Sequence, residues 1–416
     1  MRIGLFLYRI GTRLLAAFVS LAMRRRIAKQ KEDPETLSHR FAKNLPKRPE
    51  GLVVWLHGAS VGESKLCLLT ADALQNERSD LTVLHTCQTL TGAALIKSDI
   101  ADKSRRFYSP APIDTPTIAR RFITHWMPNL AIFSEGEIWP NLLSECRAKG
   151  TKTALINARM TEKSLNNWAR WPSTAKTVIG GFDLIATSDQ ATATALQTYA
   201  PHAFSLPSNL KTDLPAPLGD EAQLTLIKSS IADRAVLLAA STHPGEDTIA
   251  LDAVSQITPR PFLILAPRHP ERGDEIETLA LARGHKIARR SRSEQITPDT
   301  TVLLADTMGE MGLWIRLADT VYLGGGHTPD IGGHNPLEAI QLGKPVLTGP
   351  DVFNFKTMMT DLETQGALTF IEGAQDLARA FPAPIPPKLS SGKSSPLPIV
   401  VKHLLALLPP SEQNHA

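Results

Sequence analysis

The stretch "LVVWLHGASVGESKLCLLTADALQ", residues 52–75, decides the fold. Leu52 to His57 is a short apolar run between Gly51 and Gly58. Such a run, bounded by turn residues, fits a strand buried on both faces. From Glu63 onward the apolar residues fall at helical spacing. Ser60, Gly62 and Glu63 lie at the junction. A strand feeding a helix through a short loop is the first part of a βαβ unit, which predicts a parallel sheet with helices on its faces.

The same alternation recurs outward from there. "LTVLHT" (81–86) reads as a strand and "TGAALIKS" (91–98) as a helix. "LAIFSE" (130–135), "TKTALINA" (151–158) and "DLIATS" (183–188) are further strands, each followed by a helix-like segment. Periodicity breaks at "LPAPLGDEAQ" (214–223) and restarts with "AVLLAAS" (235–241), "PFLILAP" (261–267), "TVLLAD" (301–306), "TVYLGGG" (320–326) and "KPVLTG" (344–349). The chain has 416 residues, too many for one typical core. The spacing therefore predicts two βα domains, 31–214 and 215–380, with strand-end loops on either side of one cleft. "FPAPIPPKLSSGKSSPLP" (381–398) is a Pro/Ser/Lys-rich connector, and "IVVKHLLALL" (399–408) is a last helix, so 381–416 reads as connector and helix.

Hydrophobic content of 42% fits a globular chain, and a net charge of +4 demands no nucleic-acid partner. Cys67, Cys87 and Cys146 are far apart without a C-x-x-C pair, which fits reduced thiols on the cytoplasmic side. The twelve histidines show no zinc spacing, so no metal is expected.

Residues 1–30 differ from the rest. In "MRIGLFLYRIGTRLLAAFVSLAMRRR" (1–26), Arg2, Arg9, Arg13, Ser20 and Arg24 fall on one narrow stripe of a helix turning ~100° per residue, and nearly everything else is apolar. The longest uncharged run, Leu14 to Met23, is too short to span a bilayer. A helix lying in the membrane interface, arginines toward anionic headgroups, is the favoured reading. A tilted span comes second; a signal peptide or a helix packed on the protein body are the plainer alternatives.

The strand-end loops carry the chemistry. In "GGHNPLEA" (332–339), Asn335 suits an N-cap, Pro336 the first helical turn and Glu338 the third position of a capping box. An open helix start there favours an anion, and Glu338 suits the hydroxyl pair of a ribose. "ILAPRHPER" (264–272) places Pro267, Arg268 and His269 at a strand end, and "LADTMGEMGLW" (304–314) places Met308, Gly309 and Glu310 at another. "AASTHPGED" (239–247) ends a strand with Ser241 and Thr242, and Pro244 can open a helix. In the first half, Ser60 to Glu63 fits S-x-x-E, so a plain capping box competes with Glu63 as a base kept ionised by the helix dipole. "FSEGEIWPNLL" (133–143) carries Glu135 and Glu137, and "SNLKTD" (208–213) carries Lys211. Taken singly, each has an ordinary reading: a first-turn acid, a solvated arginine, a surface lysine.

Together the strings "HGASVGES", "SEGEIWPN", "NARMTEKS", "SNLKTD", "STHPGE", "APRHPER", "DTMGEM", "GGHNPLEA" and "GPDVFNF" resemble the lipopolysaccharide Kdo (3-deoxy-D-manno-octulosonic acid) transferases, in family order from about residue 50 to 356. The resemblance implies an α/β GT-B fold, two Rossmann-like domains facing a cleft, with an N-terminal membrane-associated helix. It implies inverting transfer of Kdo from CMP-Kdo, without metal or other cofactor, to the lipid A precursor lipid IVA at the cytoplasmic face of the inner membrane. It aligns Glu63 with the general base and Glu135 and Lys211 with transition-state support. Pro267, Arg268, His269, Met308, Gly309, Glu310, Asn335, Pro336, Leu337 and Glu338 align with the CMP-binding loops. Gly58, Gly136 and Thr212 depart from the family pattern. The competing readings are a GT-B enzyme using a UDP-sugar, a sugar-nucleotide epimerase, and a membrane-tethered adaptor.

Overall fold

The computed structural model describes residues 3–217, 219–386 and 395–410. Contacts divide the chain into two compact units, Met1–Leu214 with Gly392–Ala416, and Pro215–Ser391. Arg2 of the expected polar stripe, and residues 387–394 of the expected connector, lie outside the described residues.

The first unit holds strands β1 (Val53–Gly58), β2 (Thr82–Cys87), β3 (Arg106–Pro110), β4 (Leu130–Ser134), β5 (Lys152–Ala158), β6 (Leu184–Thr187) and β7 (Phe204–Ser205). They form one sheet in the order β3-β2-β1-β4-β5-β6-β7, every pair parallel. Side chains alternate across a strand, and both faces here are covered. Val53, Trp55, Ala131 and Phe133 point into one core with Phe122 and Trp126. Val54, Leu56, Leu130 and Ile132 point into the other with Leu66 and Leu74. That two-sided burial is why residues 52–57 read as an unbroken apolar run.

The helix Pro396–Leu405 completes the second of these cores, with Val400, Val401, Leu404 and Leu408 buried in it. Asp213 holds its start: one carboxylate oxygen accepts from the Leu397 N–H at 2.9 Å and from the Ser395 hydroxyl at 2.7 Å. The last helix thus returns to the first unit.

The second unit repeats the plan. Its strands are β8 (Val236–Thr242), β9 (Phe262–Pro267), β10 (Ile287–Arg289), β11 (Val302–Leu304), β12 (Thr320–Leu323), β13 (Val346–Thr348) and β14 (Leu368–Phe370). The order is β10-β11-β9-β8-β12-β13-β14, again parallel throughout. Alternation along β8 sends Val236, Leu238 and Ala240 to one core and Leu237 and Ala239 to the other.

Ten strands match the apolar runs read from the sequence. The four that do not are β3, β7, β10 and β14, the edge strands of the two sheets. An edge strand is short and carries polar residues, as in "RFYSP" and "IAR", so it has no continuous apolar run to detect.

The amino-terminal helix, Ile3–Ala28, bends by 61° between Ala16 and Phe18, and no single helix among the described residues is long and apolar enough to cross a membrane. Its first half packs on the body. Leu5 joins the first core, Tyr8 donates to Asp114 at 2.8 Å, and Asn141 donates to Thr12 at 3.1 Å. Arg9 lies 3.7 Å from Glu145. Arg9 is thus part-exposed beside the body, on the side where Asp114, Asn141 and Glu145 offer polar partners. The opposite side leaves Phe6, Leu7, Ile10, Leu14, Leu15 and Phe18 exposed.

Leu404 is fully buried in the first unit. Leu404→Ala is expected to destabilise that unit by about 2–5 kcal/mol, read by urea melting of the intact chain; an unchanged midpoint would place the helix outside the core.

Candidate active site

In the first unit the loop after β1 turns directly into the helix Val61–Glu77. The turn is so close that a Cβ on Gly58 would lie 2.9 Å from the backbone carbon and Cβ of Glu63. Glycine at 58 is a steric requirement of this turn. Ser60 caps the helix, its Oγ accepting from the Glu63 N–H at 3.3 Å. The Glu63 carboxyl reaches back: Oε1 accepts from the Ser60 hydroxyl at 2.8 Å and Oε2 from the Ala59 N–H at 3.1 Å. The capping box is therefore present, and Glu63 is only 8% exposed.

Ser134, at the end of β4, adds a third group. Its hydroxyl lies 3.0 Å from Glu63 Oε2 and 3.1 Å from the His57 carbonyl oxygen. One hydrogen serves two acceptors. With Glu63 ionised, Ser134 donates to the carboxylate. With Glu63 protonated, the carboxyl can donate to Ser134, which then donates to His57. The geometry accommodates both states.

Burial, rather than the helix start, is the largest influence on the acidity of Glu63. Burial, then the charge of Glu135, and to a lesser extent Glu137, push its pKa above the ordinary carboxylate value, against the lowering by Ala59 and Ser60. Desolvation and like charge outweigh a terminal dipole of ~0.3–1 kcal/mol.

Glu135 follows β4 with φ +53°, a conformation sparsely used by residues with a side chain. Its backbone N–H is held by the Ile156 carbonyl at 3.0 Å, and its carboxylate meets Lys211 Nζ at 2.5 Å. Lys211 passes close to Gly62, where an added Cβ would sit 3.7 Å from Nζ. Glu63, Glu135 and Lys211, far apart in sequence, are thus brought together.

Lys211 is positioned by two residues the sequence reading passed over. Asn209 Oδ1 accepts from the Lys211 N–H at 2.9 Å and from Asn157 Nδ2 at 3.1 Å, while Asn157 Oδ1 accepts from the Leu210 N–H at 2.9 Å. Both lie inside the matched strings "NARMTEKS" and "SNLKTD", which was the available signal. Glu137 is held differently: Oε2 lies 3.1 Å from His57 Nε2 and accepts from Trp139 Nε1 at 2.8 Å. His57 Nδ1 meets Thr86 Oγ1 at 2.8 Å, and Thr86 also accepts from Trp55. A carboxylate oxygen only accepts, so His57 presents a proton on Nε2 to Glu137. That chain runs back into the core and fixes Glu137.

In the second unit a buried carboxylate again organises the first strand–helix junction. Glu246, 1% exposed, accepts from the backbone N–H of His243 at 2.9 Å, Gly325 at 2.8 Å and His327 at 2.9 Å. A Cβ on Gly324 would sit 2.7 Å from its Oε2. Glu246 was not singled out from sequence. The helix after this junction opens at Glu246, not Pro244, behind Gly245 with φ +94°. Ser241, with φ +55°, marks a bulge between Ala240 and Thr242. Thr242 donates to Asp247 at 2.5 Å.

Arg268 and His269 emerge exposed just past β9, which ends at Pro267. Arg268 makes no ion pair among the described residues, whereas His269 Nδ1 lies 3.5 Å from Glu271. Met308 is 67% exposed and Gly309 has φ +89°. The Glu310 carboxylate is paired with Arg290 at 2.6 Å and bonded by Thr307, which lowers its pKa. The helix at "GGHNPLEA" is shorter than its start signals suggest, Leu337–Gln341, and the Leu337 N–H is taken by Asn335 Oδ1 at 3.2 Å. Leu337 itself is core and Glu338 half-buried. The open helix start expected there has at least one donor already filled.

Residues 29–214 match the family model described as 3-deoxy-D-manno-octulosonic-acid transferase (kdotransferase). A 3-deoxy-D-manno-octulosonic acid transferase from Bordetella pertussis is 34% identical over 88% of this chain and 87% of its own length. The chain belongs to the Kdo transferase family. A UDP-GlcNAc 2-epimerase from Neisseria meningitidis, bound to UDP-GlcNAc, is similar in structure with a TM-score of 0.57 at 11% identity, covering 85% of this chain and all of that one. A glycosyltransferase from Rickettsia africae aligns with a TM-score of 0.53 at 10% identity, covering 86% of this chain and 94% of that one. At such identities these two likenesses concern the fold, which is GT-B-like in this Kdo transferase. Family membership makes it a glycosyltransferase and sets aside the epimerase and adaptor readings.

Proposed function

We propose that this transferase moves Kdo from CMP-Kdo to the lipid A precursor lipid IVA with inversion, and that Glu63 is its general base. The observation that carries the base assignment is the Glu63 carboxyl: buried, bonded to Ala59, Ser60 and Ser134, and raised in pKa by burial and Glu135. A base works best when its pKa approaches the working pH. In this reading an acceptor hydroxyl gives its proton to Glu63 as its oxygen bonds to the anomeric carbon of Kdo. The bond from that carbon to the CMP phosphate oxygen breaks, and CMP leaves with the electron pair. Lys211, held by Glu135, offsets the negative charge, a contribution of the preorganised kind. The remaining donor-binding residues are assigned to the loops at 267–269, 308–310 and 335–338.

The lipid acceptor gives the amino-terminal helix its role. We place that helix in the cytoplasmic interface of the inner membrane, docked on the protein through Tyr8 and Thr12. Its exposed Phe6, Leu7, Ile10, Leu14, Leu15 and Phe18 enter the acyl boundary, and exposed Arg13, Arg24 and Arg25 meet anionic headgroups.

Glu63→Gln should lower transfer by about 10²–10⁴-fold while CMP-Kdo still binds, measured by mass spectrometry of the tetra-acylated glycolipid and by calorimetry; near-normal turnover removes the assignment. Because the charge of Glu135 raises the Glu63 pKa, Glu135→Gln should move the acidic limb of the residual pH–rate profile to lower pH. A limb that stays in place, or moves up, means another group titrates. The pair Leu14→Glu and Phe18→Glu should reduce co-sedimentation with vesicles of anionic phospholipid; an unaltered bound fraction counts against the interfacial helix.

A further inference from the structure

Two histidines that the transfer mechanism above does not use make an unusual contact. His243 follows β8, and His334 lies in the loop before the helix Leu337–Gln341. Their Nε2 atoms are 2.9 Å apart, and the rings lie edge to edge, with centroids 5.1 Å apart and planes within 16°. His243 is 7% exposed. Two ring nitrogens at this distance share one hydrogen: one Nε2 carries it and the other offers its lone pair. In the uncharged pair, the donating ring has a bare Nδ1 and the accepting ring has its hydrogen on Nδ1. One further proton can be added to that bare Nδ1 with the contact intact. A second would put hydrogens on both facing Nε2 atoms and break it. The pair therefore has two accessible charges, zero and plus one.

The surroundings set which charge is present. His243 faces Glu246 on its own helix start, and His269, Arg268 and Arg272 from the loop after β9. His334 faces His243, Arg268 and His269. Glu246 is already engaged by three backbone N–H groups, and Arg272 by Asp247 and Glu275. Burial and the neighbouring cations hold both imidazoles below the ordinary value, His334 down to about 4. In the free protein the pair is uncharged near neutral pH. An anion brought to Arg268 and His269 offsets the positive charge that disfavours a proton on the pair.

We propose that His243 and His334 act as one proton-accepting unit that takes a single proton from solvent, onto the Nδ1 of the donating ring, when the anionic sugar nucleotide binds. This rests on the assignment of Arg268 and His269 to the donor site. It gives the site a cation that exists only when the nucleotide is present, and it makes donor affinity rise as pH falls.

The test is calorimetry of CMP-Kdo binding to the full chain without acceptor, at about pH 6.5 where an ordinary imidazole titrates, in buffers of different ionisation enthalpy. The CMP-Kdo phosphodiester has no proton of its own to exchange there. Wild type should take up close to one proton per donor bound, and its affinity should strengthen toward lower pH. His243→Asn and His334→Asn should each still bind CMP-Kdo, without uptake and with a flattened pH dependence. A packing role alone would leave proton uptake at zero in all three proteins. Binding without uptake in wild type, or uptake unchanged in both variants, overturns the proposal while the donor site stands. Absence of CMP-Kdo binding to wild type overturns the donor assignment and this proposal with it.

Discussion

Every strand in both sheets runs parallel. That constraint puts all the carboxyl ends of a sheet along one edge, where open α/β folds carry their ligands. In the first unit it gathers the loops after β1, β4 and β5 and the turn at 210–213, and so brings Glu63, Glu135, Asn157 and Lys211 together from positions spread over about 150 residues. Backbone strain sits at the carboxyl edge of each sheet: Glu135 and Asn157 in the first unit and Ser241 in the second adopt positive φ at or near strand ends. Such conformations persist where surrounding contacts over-determine them. The Ile156 carbonyl holds Glu135 and the Asn209 side chain holds Asn157.

Each unit uses a buried glutamate in the first turn of its first sheet helix, and the two differ in what they bond. Glu246 takes three backbone N–H groups and ties the glycine loop at 324–327 to the helix. Glu63 takes one backbone N–H and two hydroxyls. A backbone N–H can only donate. A hydroxyl can reverse, so Ser134 lets the Glu63 carboxyl gain and lose a proton without an orphaned partner. The same motif thus serves a fastening role in one unit and suits a proton-transfer role in the other.

The amino-terminal helix shows how one polar stripe can divide between two environments, Arg9 near Glu145 and Arg13 and Arg24 exposed. Its narrow polar stripe was legible, but solvent, headgroup and protein are all polar environments. Asp114 and Glu145, more than a hundred residues away, draw Tyr8 and Arg9 toward the body. The apolar remainder is consequently left on the outside.

The sequence by itself determined the ten inner strands, the break near residue 215 and the family, because two-sided burial writes continuous apolar runs and because the loop strings are contiguous. Gly58 departs from the family pattern, and in this fold the backbone of Glu63 lies against it. Only the tertiary structure decided the edge strands, the partners of each acid and the ionisation tendency of Glu63. Edge strands lack the burial that produces a pattern. Charge–charge and desolvation effects depend on distances across the sheet edge, between residues whose separation along the chain carries no record of their contact.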